Sequence, residues 1–371
     1  MNKSSKVALL FLVLSISACA VTGRICQALV LEAGGDHGGY EAGVLDVLIN
    51  NATNPNDTLW DVVTGVSIGA INTGYISQYK VGDEKNMIVG MLQLWEQITS
   101  ADIYQSWEGG MVQGLLFESS IFDESPIIPF LEQHITLPPQ RSIRISATDS
   151  NTASYITFKE TDLPTADDLR TVMRSSSAVP MVFPHVNYLN YTFIDGGVLD
   201  CLNLGAAVAA CRGIADSDKD IYIDTILDDY IANLAPVNAD DDSAFSIFSR
   251  GMSIMSYYNG INLLLQAQEE FPDVNFRYTI RPTKALPDPT LPLGFKHDEI
   301  MTMIALGQSD ATAAIQKGPG VAHKEVIEEI KKELKSLKRK AHHSVQASLK
   351  AKLKEEARKM YEDQVKRIEL Q

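Results

Sequence analysis

The sequence has no apolar run long enough to cross a bilayer. The N-terminal run Val7–Ile16 is about ten residues long, whereas a spanning helix needs roughly 20, and no later segment is a candidate. Cysteine is scarce, with 4 in 371 residues, and no Cys/His spacing is typical of a metal site. These absences exclude a disulfide-framework protein and predict a soluble or peripherally bound globular protein.

Positive charge is also scarce in most of the chain. Residues 323–371 carry 14 Lys+Arg against 9 Asp+Glu, which leaves 18 against 38 in the remainder from chain totals of 32 and 47. The body therefore has a net charge of about −20, which repels nucleic acid. We expect no DNA or RNA partner.

The N-terminus has the layout of a cleaved signal peptide. Lysines precede the apolar run, and Ala18–Ala20 follows it as a small-residue cleavage site. We therefore predict a signal peptide at 1–20 and a secreted protein. The alternative is a bacterial lipoprotein anchored at Cys19, because Ile16–Cys19 resembles that cleavage signal. Three glycosylation sequons favour the first alternative: Asn51, Asn56 and Asn190.

Cleavage after residue 20 leaves Cys26, Cys201 and Cys211. An odd number of cysteines predicts one bridge at most, and we expect all three to be buried small apolar residues.

Short β-rich runs alternate with segments of helical pattern, which predicts an α/β fold with a mainly parallel sheet and helices on both faces. The clearest of these runs are Gln27–Leu31, Trp60–Thr64, Ile143–Ala147 and Thr192–Ile194. We predict one domain over 21–322, with a surface loop at 235–243.

The tail at 323–371 contains no Pro or Gly and has apolar residues at steps of three or four, which predicts a long helix. We expect this helix to lie against the body. The alternative is a basic amphipathic helix that contacts an anionic membrane or a partner of unknown identity.

Three motifs carry chemistry. Val62–Asn72 reads as a strand, a G-x-S-x-G turn and a helix, with Ser67 between Gly65 and Gly69, which is typical of a nucleophile elbow. Tyr191–Gly197 is an apolar run ending in Asp195, Gly196 and Gly197, and it offers a carboxylate base at a strand end. Ala28–Gly43 is a strand, a glycine loop and a helix. The dinucleotide-binding motif G-x-G-x-x-G does not match this segment, because the third position counted from Gly34 is Asp36 and not a glycine.

Together these motifs resemble the patatin-like phospholipase family over roughly Gln27–Leu204. The resemblance implies a three-layer α/β fold and a lipid acyl hydrolase that acts through a Ser67–Asp195 dyad, with the amides of Gly34, Gly35 and Asp36 as the oxyanion hole. It implies no metal and no cofactor. The substrate would be a lipid or a membrane surface. The aromatic and apolar residues of Ile103–Phe130 themselves predict either a lid or membrane-contacting flap or ordinary core packing.

Several positions depart from the family pattern. Ala33 replaces the first loop glycine, which requires φ below zero there. His37 replaces a basic residue, and Cys201 and Asn203 stand where Asn and Pro are common.

These departures keep open a lipid-binding or storage protein that has lost turnover. A second alternative is an α/β-hydrolase triad of Ser67, Asp195 and His297.

Overall fold

The structure, a computed structural model, describes residues 23–228, 243–287 and 293–369. The predicted signal peptide and nearly all of the predicted loop at 235–243 lie outside the described residues. The strands are β1 (Cys26–Leu31), β2 (Val62–Gly65), β3 (Gln105–Ser106), β4 (Phe122–Asp123), β5 (Ser142–Asp149), β6 (Ser154–Lys159), β7 (Val186–Tyr188), β8 (Tyr191–Ile194), β9 (Ile221–Ile226) and β10 (Asn275–Ile280).

The helices alternate with these strands along the chain. They are α1 (Gly38–Asn51), α2 (Ile68–Ser77), α3 (Glu84–Gln97), α4 (Ser100–Ile103), α5 (Gly110–Phe117), α6 (Ile127–His134), α7 (Ala166–Ser176), α8 (Leu204–Cys211), α9 (Ala244–Glu270), α10 (His297–Lys317) and α11 (Val321–Glu369). None of the helices in the described part of the chain combines the length and apolar character needed to cross a membrane.

The central sheet has the order β10-β9-β1-β2-β5-β8-β7, and β6 pairs with β5. The first five strands of this order are parallel, while β6, β7 and β8 pair antiparallel with their neighbours. The predicted α/β class, with a mainly parallel sheet and a long C-terminal helix, is confirmed.

Strand β1 shows why the fold has three layers. Leu29 and Leu31 belong to the apolar core on one face of the sheet, whereas Ala28 and Val30 belong to the core on the other face. A strand covered on both faces has no solvent-facing side to alternate with, so residues 28–31 of β1 are all apolar. Helices α1, α2, α3, α7 and α10 contribute to the first core, and α8, α9 and α11 contribute to the second.

The cysteines correct one expectation. All three are buried, but Cys26 and Cys211 form a disulfide with their Cα atoms 5.4 Å apart, and Cys201 is a free thiol. The bridge joins the start of β1 to the end of α8, which packs on β1. The expectation that all three serve as small apolar residues is therefore wrong for two of them.

The start of helix α11 lies against the body. Ile327 and Ile330 are buried in the core below the sheet, and Glu333 accepts hydrogen bonds from Arg281 and from the Tyr257 hydroxyl. Farther along, apolar side chains are mainly exposed: Val345, Leu349 and Leu353. The start of the helix fits the expectation for the tail, and the partner of its exposed part stays open.

Candidate active site

The turn between β2 and α2 holds Ser67 in a backbone conformation that side chains rarely adopt. Its φ is 53° and its ψ is −121°, a conformation that costs on the order of 1–3 kcal/mol for a residue with a side chain. The flanking glycines make the turn possible. A Cβ on Gly65 would lie 2.0 Å from the carbonyl oxygen of Gly69, and one on Gly69 would lie 2.6 Å from that of Glu32.

The elbow is fixed from below by a serine that the motifs did not single out. The Ser67 amide donates a hydrogen bond of 3.0 Å to Oγ of Ser176, whose hydroxyl donates one of 2.6 Å to the carbonyl of Ser146. All three residues are buried. These two hydrogen bonds connect the strained turn to α7 and to β5. Nothing in the spacing of Ser176 signalled this contact, because it depends on how α7 packs.

The register of the sheet brings the two candidate catalytic side chains to one level. Gly65 pairs with Ile145 of β5, and Ile194 pairs with Thr148 of the same strand. Because β8 runs antiparallel to β5, the residue after Ile194 lies beside position 147. The parallel chain of β2 reaches the same level two residues after Gly65. Ser67 and Asp195 therefore meet above the sheet.

The Asp195 carboxyl is buried, and burial raises its pKa from the usual 3.8 to about 6. A hydrogen-bonding interaction with the Ser67 hydroxyl and a hydrogen bond of 2.7 Å from the Gly197 amide act in the opposite direction.

The glycine loop after β1 presents backbone amides beside Ser67. The amides of Ala33 and His37 donate to the carbonyls of Cys201 and Gly34, whereas those of Gly34 and Gly35 donate to no acceptor in the described parts of the chain. The amide of Asp36 interacts with its own carboxylate. Of the three predicted oxyanion donors, Gly34 and Gly35 therefore have the amides that remain available.

Ala33 and His37, two departures from the family pattern, lie in the glycine loop beside Ser67. Ala33 is not among the residues with positive φ, so its side chain is tolerated in the loop. His37 is buried, and its Nε2 lies 3.8 Å from Oδ1 of Asp36. Neither ring nitrogen has a hydrogen-bond partner among the described residues. Burial raises the pKa of Asp36, and the charge of His37 opposes this shift.

Two cavities meet at Ser67. The larger has a volume of about 180 Å³ and extends between the glycine loop, Asp195 and α9. The smaller, of about 40 Å³, is almost entirely apolar and is walled by side chains such as Trp95, Ile127 and Phe130. Four residues line both cavities: Gly35, Ser67, Val179 and Leu293. The wall formed by α9 was not predicted, because its sequence carries no motif.

The alternative triad is not assembled. His297 is exposed at the start of α10, where its Nδ1 lies 3.0 Å from the carbonyl oxygen of Glu96. It lines neither of the two cavities. In the described residues no group of three or more His, Cys, Asp or Glu side chains is arranged to hold a metal ion.

Comparisons with known proteins give a family match and similar solved structures. The profile of the family described as Patatin-like phospholipase matches residues 29–208. A search of curated proteins gives no match. Among solved structures, VipD from Legionella pneumophila is similar with 11% identity and a TM-score of 0.38, covering 80% of this chain and 67% of that one. The ExoU–SpcU complex from Pseudomonas aeruginosa matches with 11% identity and a TM-score of 0.30, covering 80% of this chain and 52% of that one.

Residues 29–208 include the glycine loop, Ser67 and Asp195, so the three motifs and the family match coincide. Residues 29–208 form a patatin-like phospholipase domain, and this match supports lipid hydrolase activity in general terms.

Proposed function

We propose that this protein cleaves carboxylic esters of lipids through Ser67 and Asp195, with an acyl-enzyme intermediate. The observation that carries the proposal is the position of a buried carboxyl beside a serine in a strained turn, where a small apolar cavity meets a larger one that has a minority of polar groups. The apolar cavity suits the acyl chain, and the larger one suits the alcohol.

In the first half-reaction Asp195 accepts the Ser67 proton while Oγ attacks the ester carbonyl carbon. The amides of Gly34 and Gly35 donate to the oxyanion, and the N-terminus of α2 adds partial positive charge. Collapse of the intermediate breaks the ester C–O bond, and the leaving alkoxide takes the proton from Asp195. Water then attacks the acyl-enzyme with Asp195 again as base, which releases the fatty acid and restores Ser67.

The raised pKa of Asp195 suits this role. A carboxylate with the usual pKa is a weak base at neutral pH, whereas one of about 6 is still ionised at pH 7 and accepts a proton more readily. Burial therefore gives Asp195 the basicity that a histidine supplies in a catalytic triad.

The proposed substrate is presented at a lipid surface. Helix α5 contains no charged residue, and five of its eight residues have large apolar side chains that are between 48% and 78% exposed: Met111, Val112, Leu115, Leu116 and Phe117. An exposed patch of this kind marks an interaction site rather than an ordinary surface.

The α5 patch is connected to the cavity mouth. Gly114 packs closely on the backbone of Ile121, whose amide donates to the carbonyl of Met181. Pro180 and Val182, on either side of Met181, line the larger cavity. A lipid surface that covers α5 would therefore lie beside the entrance.

We also propose that the protein acts in the secretory pathway or outside the cell. The predicted signal peptide motivates this, and the Cys26–Cys211 disulfide supports it, because such bridges persist in oxidising compartments. The sequon asparagines Asn51, Asn56 and Asn190 are exposed. The lipoprotein anchored at Cys19 is the alternative, and mass spectrometry of the mature N-terminus separates the two.

The test of the activity is hydrolysis of a soluble chromogenic butyrate ester with chelator present. Ser67→Ala and Asp195→Asn should each abolish turnover while the far-UV spectrum is kept. Exposed residues of the same types, in Ser150→Ala and Asp167→Asn, serve as matched controls and should retain it. A folded parent without activity would support the lipid-binding alternative, and activity that survives Asp195→Asn would show that another base operates.

A further inference from the structure

The larger cavity at Ser67 is mainly apolar, with a minority of polar groups and no fixed positive charge among its described lining residues. Its carboxyl and imidazole groups belong to Asp36, His37 and Asp195, and Cys201 adds a thiol. Three serines of α9 add hydroxyl groups: Ser249, Ser253 and Ser256. No Lys or Arg lines it in the described residues. The two internal segments outside the described residues, 229–242 and 288–292, contain no Lys or Arg in their sequence.

The formal charge of this cavity is at most zero in the state that reacts. Asp195 must be ionised to act as base, so it contributes −1. A protonated His37 offsets that charge, and an ionised Asp36 makes the sum negative again. The partial positive charges at the starts of α1 and α2 are directed to the oxyanion at Ser67. No fixed cation is left for a second anion.

This charge pattern discriminates between lipid head groups. A phosphate diester placed in the cavity would be an additional anion without a Lys or Arg partner, and burying such a group unpaired is unfavourable. Serine hydroxyls rotate and both donate and accept hydrogen bonds, so they suit the hydroxyl groups of a neutral polyol. Met252 and Met255, between these serines on α9, supply adaptable apolar contacts.

We infer that the preferred substrates are esters whose alcohol part is an uncharged polyol, such as acylglycerols or glycosyl acylglycerols, and not glycerophospholipids. This inference rests on the proposed hydrolase function and names its substrate class.

The experiment compares lipids with identical octanoyl chains in micelles of a neutral detergent: a diacylglycerol, a galactosyl diacylglycerol and a phosphatidylglycerol. We expect kcat/KM for at least one neutral lipid to exceed that for the phospholipid by about tenfold or more. Equal or faster hydrolysis of the phospholipid overturns the inference, as does turnover of the butyrate ester with none of the three lipids. Failure on the butyrate ester as well overturns the proposed function itself.

A positive charge introduced into the cavity tests whether the lack of cations there causes the selectivity between lipids. Ser253→Arg places a cation on the α9 wall and should raise phosphatidylglycerol hydrolysis relative to diacylglycerol by about fivefold. Ser253→Gln controls for side-chain size. Ile254→Arg puts the same charge on the exposed side of α9 and controls for attraction of the protein to anionic micelles. Ser249→Lys repeats the test one turn earlier if Ser253→Arg does not fold.

The selectivity is set by the cavity if Ser253→Arg or Ser249→Lys changes it and Ile254→Arg does not. An equal change in Ile254→Arg, or no change in either folded cavity variant, contradicts the inference.

Discussion

The amide of Gly197 donates a hydrogen bond of 2.7 Å to Oδ1 of Asp195, and burial still raises the pKa of that carboxyl to about 6. A base must be deprotonated to accept the Ser67 proton. We therefore expect kcat/KM for the butyrate ester to be constant above about pH 7 and to fall about tenfold per unit below about pH 6.

The measurement is the pH profile between pH 4.5 and 8, with circular dichroism at each pH to show that the fold is kept. A midpoint near 4 would mean that Asp195 is not shifted in the reacting enzyme. A flat profile would mean that it is not the base.

The same pKa shift predicts that the dyad lowers stability at neutral pH. The folded state binds more protons than the unfolded state between about pH 4 and 6, so the free energy of unfolding contributed by Asp195 falls as pH rises through this range. A shift from 3.8 to about 6 corresponds to roughly 3 kcal/mol. Asp195→Asn should therefore be inactive yet at least as stable as the parent at pH 8.

Denaturant unfolding at pH 8 and at pH 4.5 checks this prediction. The advantage of Asp195→Asn should largely disappear at pH 4.5, where the parent carboxyl is protonated. A variant that is several kcal/mol less stable at pH 8 would show that the carboxylate is needed for folding.

The elbow glycines should tolerate no side chain. In Gly69→Ala the new Cβ would lie 2.6 Å from the backbone oxygens of Leu31 and Glu32, which belong to β1 and the loop after it and cannot move freely. We expect a loss of at least about 2 kcal/mol of unfolding free energy, together with loss of activity.

Gly205→Ala is the matched control, because this helical glycine of α8 has no atom within 4 Å of its added Cβ. This change should stabilise the protein slightly, by up to about 1 kcal/mol. Equal stability of the two variants in thermal unfolding would contradict the close packing described for the elbow.

The Cys26–Cys211 bridge should contribute strongly to stability, since it closes a loop with a sequence separation of 185. In the chain-entropy model a loop of this length gives about 5 kcal/mol. We expect the Cys26→Ala/Cys211→Ala double variant to unfold at a clearly lower denaturant concentration than the parent. A reductant should lower the parent to the same value and leave the double variant unchanged. A reductant that has no effect on the parent would argue against the bridge.

Much of the site was predictable because its geometry is local. The strand, turn and helix around Ser67 lie in eleven consecutive residues, Val62–Asn72, and the clashes that require Gly65 and Gly69 arise within this unit and the neighbouring β1. Asp195 was found for the same reason, since it directly follows an apolar strand. The residues of the glycine loop were predicted, but the use of the Asp36 amide by its own carboxylate was not.

What the sequence left open depends on contacts between distant segments. The disulfide requires α8 to pack on β1, and the spacing of Cys26 and Cys211 carries no sign of that. The antiparallel direction of β8 follows from its pairing with β5, whereas the alternating pattern predicted only a mainly parallel sheet. The α9 wall of the larger cavity is invisible in the sequence because helix α9 has apolar residues all around it.

The α5 patch gives the last prediction, which separates lipid-surface contact from chemistry. Replacing Leu116 and Phe117 with serine removes two of the most exposed apolar side chains of α5. Each fully inserted side chain of this size contributes about 2 kcal/mol, so binding to a neutral lipid surface should weaken by about tenfold or more. Hydrolysis of emulsified acylglycerol should fall accordingly, while the soluble butyrate ester should be cleaved at the parental rate, because neither residue lines a cavity at Ser67. A Leu353→Ser variant is the control, because Leu353 is exposed on α11 and tests the loss of an apolar surface residue elsewhere on the protein. An equal fall for both substrates would mean that α5 supports the active-site structure, and unchanged hydrolysis of the emulsion would mean that the lipid approaches from elsewhere.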